Sequence, residues 1–260
     1  MPMITTDDGC QINVEISGSD SAPPLMLSNS LGTNLHMWDD QAPAWAKAFR
    51  LVRYDRRGHG KSGVPKRPYT MERLGRDALA IMDALNIKKV NWLGLSMGGM
   101  VGQWLGANAP ERIEKLVISN THNYYPDKAL WNDRIKVVDT GGIAATADAT
   151  MERWFSKEFR DRSPDKVARM RAMLMETQAE GFIGCCCAIR DMDLRGTNPN
   201  IKAPTLVIVG AKDPATPPAA GEEIARQIKG ARLVSLEAAH ISNVEQPAKY
   251  AETVLGFLKQ

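Results

Sequence analysis

The sequence predicts an α/β protein in which a mostly parallel central sheet is covered by helices on both faces. From residue 24 to residue 119, short apolar runs typical of buried strands alternate with segments of helical periodicity. The alternation stops near Asn120 and resumes at Thr205. We therefore predict a core formed by residues 1–121 and 199–260, with a helical cap at residues 122–198 inserted after the sixth strand.

Local sequence patterns predict each strand and helix. A turn signal at Asp7-Asp8-Gly9, followed by alternation over residues 11–16, predicts an antiparallel start. Continuous apolar runs predict buried strands at residues 24–28, 49–54, 90–93, 113–119, 205–209 and 232–236. Helical spacing predicts helices at residues 38–48, 71–85, 97–108, 130–138, 147–155, 165–177, 180–192, 221–229 and 247–258.

Composition excludes several classes of protein. The 260 residues are 43% hydrophobic and carry a formal net charge of +3, with basic and acidic residues interspersed. Such a charge distribution has no basic patch that would indicate binding to a nucleic acid or to a membrane surface. No apolar run approaches the roughly 20 residues of a membrane span. Acidic residues stand where a signal peptide would be basic and apolar, so we expect a cytoplasmic protein. The sequence does not indicate its oligomeric state.

The four cysteines have no spacing typical of a metal or redox site. Three are consecutive, Cys185-Cys186-Cys187, and adjacent side chains on a helix point in different directions. Together with Cys10, they are predicted to be reduced, buried or half-buried thiols.

A candidate nucleophile follows the predicted strand at residues 90–93. Gly94-Leu95-Ser96-Met97-Gly98 has the G-x-S-x-G pattern of a nucleophile elbow, in which a strained strand-to-helix turn raises the serine hydroxyl above the sheet. The alternative is an ordinary glycine-rich connection between a strand and a helix. We predict that Ser96 is a catalytic nucleophile.

Chain order then identifies the partners of Ser96, because on such a sheet the acid and then the histidine follow the serine. His240 follows the last predicted strand and is the predicted general base. Asp213 follows the preceding strand and is the predicted acid, although an Asp-Pro pair also commonly forms turns. Asp191 and Asp193 are weaker rivals within the cap. His122 is expected at the rim of the pocket or on the surface.

The oxyanion hole should use two backbone N–H groups. We expect them from Met97, which follows the nucleophile, and from Leu31, in the loop after the strand at residues 24–28. Ser30 and Asn29 are expected to shape that loop or to orient a water molecule, and Ser30 is also an expected substrate-binding residue. The run of residues 54–62, which contains Asp55, Arg56 and His59, is predicted to have a structural role beside the elbow.

Together these segments resemble the α/β-hydrolase family, and within it the 3-oxoadipate enol-lactonases. The resemblance spans nearly the whole chain. It rests on D-x-R-G-H-G-x-S at residues 55–62, G-x-S-x-G-G at 94–99, and the segments at 28–33, 93–104, 184–194, 213–218 and 238–247. Asn29-Ser30 replaces the His-Gly of most relatives, a replacement that the lactonases share. The third consecutive cysteine is a small departure.

The resemblance implies a carboxylic ester hydrolase that opens 3-oxoadipate enol-lactone to 3-oxoadipate, through an acyl-enzyme and without a metal or organic cofactor. Its substrate would be a small lactone bearing a carboxylate, so a cation should lie in the pocket. Arg190 and Arg195 are the expected cations, unless they form surface salt bridges, and Trp131 and Trp154 are expected pocket walls. The alternatives are a carboxylesterase, a C–C bond hydrolase, a perhydrolase or a non-catalytic ligand-binding protein on this fold.

Overall fold

The computed structural model describes residues 2–260, in which eight strands form one sheet; Met1, the first residue of the predicted core, lies outside them. The strands are β1 (Met3–Thr5), β2 (Gln11–Ser17), β3 (Pro24–Ser28), β4 (Arg50–Tyr54), β5 (Val90–Leu95), β6 (Ile113–Ser119), β7 (Thr205–Gly210) and β8 (Arg232–Leu236). All seven predicted strands are present, within two residues at each end.

The order across the sheet is β1-β2-β4-β3-β5-β6-β7-β8. The strands from β4 to β8 pair in parallel, and only β1 and β2 run antiparallel to their neighbours. Every residue of β5 and of β7 is buried. Successive side chains of a strand point to opposite faces, so helices and loops cover both faces of the sheet there. The predicted fold class is confirmed.

The helices lie between and after these strands. They are α1 (Ala42–Trp45), α2 (Met71–Ala84), α3 (Met97–Asn108), α4 (Ala129–Gly141), α5 (Ala144–Trp154), α6 (Lys157–Arg162), α7 (Pro164–Met175), α8 (Ala179–Asp191), α9 (Pro218–Gln227), α10 (Ser242–Glu245) and α11 (Pro247–Leu258). Three short 3₁₀ helices lie at Leu35–Trp38, Pro110–Arg112 and Asn198–Asn200.

One predicted helix is wrong in extent. Residues 38–48 form no continuous helix, because the 3₁₀ turn ends at Trp38 and α1 starts afresh at Ala42. Pro43 accounts for the restart, since proline fits the first turn of a helix and disrupts the interior of a longer one. The short helices α6 and α10 were not predicted.

Five helices, α4 to α8, lie between β6 and β7, where the sequence predicts a helical segment. An isolated antiparallel bridge between Tyr124 and Asp193 joins the two connections between this segment and the sheet. All four cysteines are buried free thiols, as predicted, and three of them lie on α8. No helix among residues 2–260 is both long enough and apolar enough to cross a bilayer.

Candidate active site

Ser96 occupies a strained turn between β5 and α3. Its φ of 56° lies in the left-handed region that non-glycine residues avoid. The turn also depends on close backbone contacts. A Cβ on Gly94 would lie 2.0 Å from the Gly98 carbonyl oxygen, and a Cβ on Gly98 would lie 2.1 Å from the Ser28 carbonyl oxygen. The G-x-S-x-G pattern therefore has the geometry of a nucleophile elbow.

His240 and Asp213 form a buried pair at the same edge of the sheet. Asp213 follows β7 and His240 follows β8, and His240 Nδ1 lies 2.9 Å from Asp213 Oδ2. An imidazole whose Nδ1 is held by a carboxylate has its Nε2 free to accept a proton. The predicted acid and base are therefore in contact.

Two residues that the sequence analysis missed complete the surroundings of Asp213. Asn120 Nδ2 and Thr216 Oγ1 donate to Asp213 Oδ2 at 3.0 and 2.6 Å. Burial alone would raise the pKa of Asp213, but the charge of His240 and the hydrogen bonds from His240 and Thr216 outweigh it and hold the pKa below its usual range. Asp213 is thus kept as a carboxylate. Asn120 carried a usable signal, because it directly follows the carboxyl end of β6.

A cavity of about 440 Å³ opens above these groups. Six of the predicted site residues line it: Ser30, Leu31, Ser96, Trp131, Trp154 and His240. Helices α4 and α5 supply much of the opposite wall. The cavity brings the candidate nucleophile and base together with side chains from the helical segment.

The N–H groups of Leu31 and Met97 lie in buried residues, and neither has an acceptor among the described residues. Buried N–H groups without a partner are rare, so these two are candidates to bind an anionic oxygen. Arg56 orients the loop that carries one of them. Its guanidinium donates to the carbonyl oxygens of Asn29 and Ser30 at 2.7 and 3.4 Å. Because C=O and N–H point in opposite directions across a trans peptide, holding the Ser30 carbonyl turns the Leu31 N–H the other way.

His59 supports the same loop. The N–H of Gly32 donates to His59 Nε2 at 3.0 Å. Burial, with a smaller contribution from the charge of Arg56, lowers the pKa of His59 to about 3 and keeps the ring neutral. The contacts of the run at residues 54–62 therefore support the loop, in keeping with its predicted structural role.

The prediction that Arg190 and Arg195 supply the pocket cation is wrong, since neither lines the cavity. Each is paired with the acid beside it: Arg190 Nη2 lies 2.7 Å from Asp191, and Arg195 Nη2 lies 2.7 Å from Asp193. Arg195 also stacks on the ring of Tyr124. Both arginines therefore form the surface salt bridges that were the alternative to a pocket role.

The cations that line the cavity are Arg134 on α4 and Arg153 on α5. Within residues 2–260, neither forms a salt bridge. Arg134 lies over the ring of Trp131 at 4.9 Å, and Arg153 donates to Thr150 Oγ1 at 3.0 Å. Burial lowers the pKa of both guanidinium groups, and the charge of Arg134 helps to lower that of Arg153 to about 10. Helical spacing alone does not show which arginines face inward.

The remaining candidates lie outside the cavity. Asp191 and Asp193 are occupied by their arginine neighbours, and His122 packs against the ring of Tyr125 at 4.5 Å without lining the cavity. The described part of the chain holds no group of three or more His, Cys, Asp or Glu side chains placed to bind a metal ion.

Comparisons with known proteins identify the family of the chain. A sequence model of the alpha/beta hydrolase fold matches residues 23–247. The 3-oxoadipate enol-lactonase 2 of Acinetobacter baylyi is 38% identical over 249 residues, which cover 96% of this chain and 93% of that protein. The solved enol-lactonase of Burkholderia xenovorans is 42% identical, with a TM-score of 0.97 and full coverage of both chains.

A solved hydrolase of Pseudomonas aeruginosa is 46% identical, also with a TM-score of 0.97, and the match covers 100% of this chain and 98% of that one. The family match and these full-length relatives confirm the prediction of a hydrolase on this fold, and they confirm the resemblance to enol-lactonases. The chain therefore belongs to the α/β-hydrolase fold family.

Proposed function

We propose that this chain hydrolyses 3-oxoadipate enol-lactone to 3-oxoadipate, with Ser96 as nucleophile, His240 as general base and Asp213 as the acid that orients it. One observation carries the proposal: Ser96 and His240 line one cavity, while Asp213 holds the other ring nitrogen of His240 at 2.9 Å. The full-length relatives named as enol-lactonases support the choice of substrate.

The first half of the reaction forms an acyl-enzyme. His240 Nε2 takes the proton of Ser96 as Oγ attacks the lactone carbonyl carbon. The N–H groups of Leu31 and Met97 stabilise the negative oxygen of the tetrahedral intermediate. The ring C–O bond then breaks, and the leaving group departs as an enolate, which is a better leaving group than an alkoxide. The proton on His240 passes to this leaving group, which tautomerises to a ketone, and His240 is neutral again.

The second half releases the product. His240 removes a proton from a water molecule, which attacks the acyl carbon, and Ser96 recovers its proton from His240. Asp213 stays ionised throughout and stabilises the imidazolium, in keeping with its lowered pKa. The residues of this chain account for every proton transfer.

Arg134 and Arg153 are the proposed binding site for the carboxylate of the substrate. They line the cavity with Ser96 and have no acidic partner within the described residues. Trp131 and Trp154 provide apolar walls. We also propose that residues 122–198 act as a cap over a core formed by residues 1–121 and 199–260, since α4 and α5 contribute these groups.

Substitution of the nucleophile tests the scheme. Ser96→Ala should lower kcat for the enol-lactone by about 10⁴-fold or more, because the remaining groups cannot act without a nucleophile. The measurement is loss of enol-lactone absorbance, and the control is Ser21→Ala, at an exposed loop serine far along the chain. Undiminished turnover by Ser96→Ala would contradict the mechanism.

The choice of substrate needs its own comparison. Wild-type protein should open the enol-lactone with a far higher kcat/KM than it cleaves a neutral aryl ester of similar size. Fast ester cleavage with negligible enol-lactone turnover would favour a general carboxylesterase. Tight lactone binding without any turnover would favour a non-catalytic binding protein.

A further inference from the structure

The cavity combines a nucleophile with two cations from different helices. Arg134 on α4 and Arg153 on α5 both line it, and no carboxylate of residues 2–260 neutralises either by a salt bridge. Arg153 uses one N–H for Thr150, which leaves the rest of its donors free. The carboxylate of Asp133 also lines the cavity, but it is exposed and forms no salt bridge with either arginine among the described residues. Two guanidinium groups without an acidic partner favour a ligand that brings its own negative charge.

The structure of the proposed acyl-enzyme determines how many carbons separate the ester at Ser96 from the negatively charged carboxylate of the ligand. After the enol-lactone opens and tautomerises, the acyl group on Ser96 is a linear six-carbon chain. Two methylenes, a ketone and a third methylene separate the ester carbon from the terminal carboxylate. An adipyl group has the same length and the same terminal carboxylate, and differs only in a methylene at the ketone position.

The rim of the cavity offers room for a separate leaving group. Leu130 and Val137 line the cavity and are 60% and 42% exposed. With Arg134 they follow the i, i+4, i+7 spacing that places residues on one face of a helix. The leaving enolate of the lactone remains attached to the acyl chain and needs no site of its own. An aromatic leaving group would cover these exposed apolar side chains.

We propose that the same cavity also hydrolyses aryl monoesters of linear dicarboxylic acids, with the six-carbon adipate monoester preferred, an activity that rests on the proposed roles of Ser96 and His240. Ser96 Oγ bonds to the ester carbon as its proton passes to His240, and the bond to the aryl oxygen breaks. The phenolate takes the proton from His240. Water then attacks the adipyl-enzyme, so that one ester and one water become adipate and a phenol.

The test uses the wild-type chain and the 4-nitrophenyl monoesters of succinate, glutarate, adipate, pimelate and suberate. The reference is 4-nitrophenyl hexanoate, which has the acyl length of the adipate ester without its charge. Nitrophenolate release is followed, with buffer blanks subtracted. We expect kcat/KM for the adipate monoester to exceed that for hexanoate by at least about tenfold, because hydrogen bonds between charged groups discriminate on this scale.

Substitutions assign the preference to the two arginines. In Arg134→Gln and in Arg153→Gln, the ratio of adipate monoester to hexanoate kcat/KM should fall about tenfold. The ratio is taken within each variant, so a partial loss of folded protein cancels. Arg190→Gln is the matched control, since Arg190 lies on α8 outside the cavity, and it should leave the ratio unchanged.

Each outcome decides the proposal. Equal kcat/KM values for the adipate monoester and for hexanoate overturn it. A preference for the monoester that is unchanged in Arg134→Gln and in Arg153→Gln also overturns it. A maximum at another chain length overturns the adipate assignment. Enol-lactone turnover, measured in parallel, separates the two proposals: an enzyme that opens the lactone but ignores the monoesters overturns this inference alone.

Discussion

Among single residues, His59 shows how a buried basic group can serve a site that it does not touch. It accepts the Gly32 N–H in the loop that carries Leu31, and only a ring nitrogen without a proton can accept. Arg56, 2% exposed, donates to two carbonyl oxygens of the same loop. His59 thus accepts a hydrogen bond from this loop and Arg56 donates hydrogen bonds to it, and together they fix the orientation of its peptide groups.

The lowered pKa of His59 predicts a cost to stability in mild acid. Below about pH 6.5, His59 binds a proton in the unfolded chain, whereas in the folded protein it stays unprotonated down to about pH 3. Above about pH 6.5, His59 is neutral in both the folded and the unfolded chain, so it does not change the free energy of unfolding with pH. The free energy of unfolding should therefore fall as pH drops, by up to about 1.4 kcal/mol per pH unit from this group.

His59→Gln tests that cost, since the glutamine oxygen can still accept from Gly32 and does not titrate. Urea unfolding at pH 7, 6 and 5 should give a shallower decline in stability than wild type. Equal slopes for His59→Gln and wild type would contradict a neutral, buried His59.

Sequence reasoning can predict the position of a residue that directly follows a strand. Ser96, Asp213 and His240 were predicted because each follows a strand, and parallel strands bring their carboxyl ends to one edge. It failed for the cations. Arg134 and Arg190 both lie on predicted helices near aromatic or apolar residues, and only the packing of α4 against α8 determines which one faces the cavity.

Among elements, the β5–α3 turn depends on the absence of side chains at its glycines. The N–H of Gly98 donates to the Asn29 carbonyl oxygen at 3.1 Å, so the start of α3 is bonded to the loop after β3. That same carbonyl accepts from Arg56. Both candidate oxyanion donors, Met97 and Leu31, therefore lie next to one shared contact.

Gly98→Ala should break this contact. The new Cβ would lie 2.1 Å from the Ser28 carbonyl oxygen, a backbone atom that cannot rotate away. We expect a loss of about 1–3 kcal/mol in the free energy of unfolding, typical of overpacking, together with a fall in kcat of at least about tenfold as the two donors separate. Urea unfolding and steady-state kinetics measure the two effects.

Gly106→Ala is the control on the same helix. Its Cβ would meet only side-chain atoms of Ile201 and Leu116, none closer than 3.3 Å, and alanine is the better helix former. Stability should stay within about 1 kcal/mol of wild type, with kcat unchanged. If Gly98→Ala and Gly106→Ala had the same stability and kcat, the close backbone contact at Gly98 would not explain why that position is glycine.

Helices of ten or more residues were predictable because each one repeats its apolar spacing over several turns. The short ones were not. The four-residue α10 and the six-residue α6 are too brief for a periodic signal. Their positions depend on contacts with distant parts of the chain, which a local pattern does not contain.

In the whole molecule, those two short helices join the helical segment to the loop that carries His240. Glu245 on α10 is 5% exposed and accepts from three donors. Ser156, which caps α6, donates through its hydroxyl at 2.5 Å and its N–H at 3.3 Å, and the third donor is the N–H of Ala239 at 3.1 Å. One carboxylate thus bonds both to the helical segment and to the residue before the candidate base.

Glu245→Gln should weaken both attachments. An amide has one acceptor oxygen, and its NH₂ group would face one of these donors, which leaves a buried polar group without a partner. We expect the free energy of unfolding to fall by about 1–3 kcal/mol. We also expect kcat for the enol-lactone to fall while KM changes little, because the displaced group would be His240 rather than the arginines that bind the substrate. Urea unfolding and steady-state kinetics provide both values.

Glu237→Gln makes the same chemical change in the loop that carries His240, at an exposed side chain without a hydrogen bond among the described residues. It should leave stability and kcat at wild-type values. A purely structural role for Glu245 would lower stability without moving kcat per folded molecule, and equal behaviour of the two glutamine variants would contradict any coupling. A selective fall in kcat means that the helical segment both lines the cavity and helps to hold the base beside Ser96.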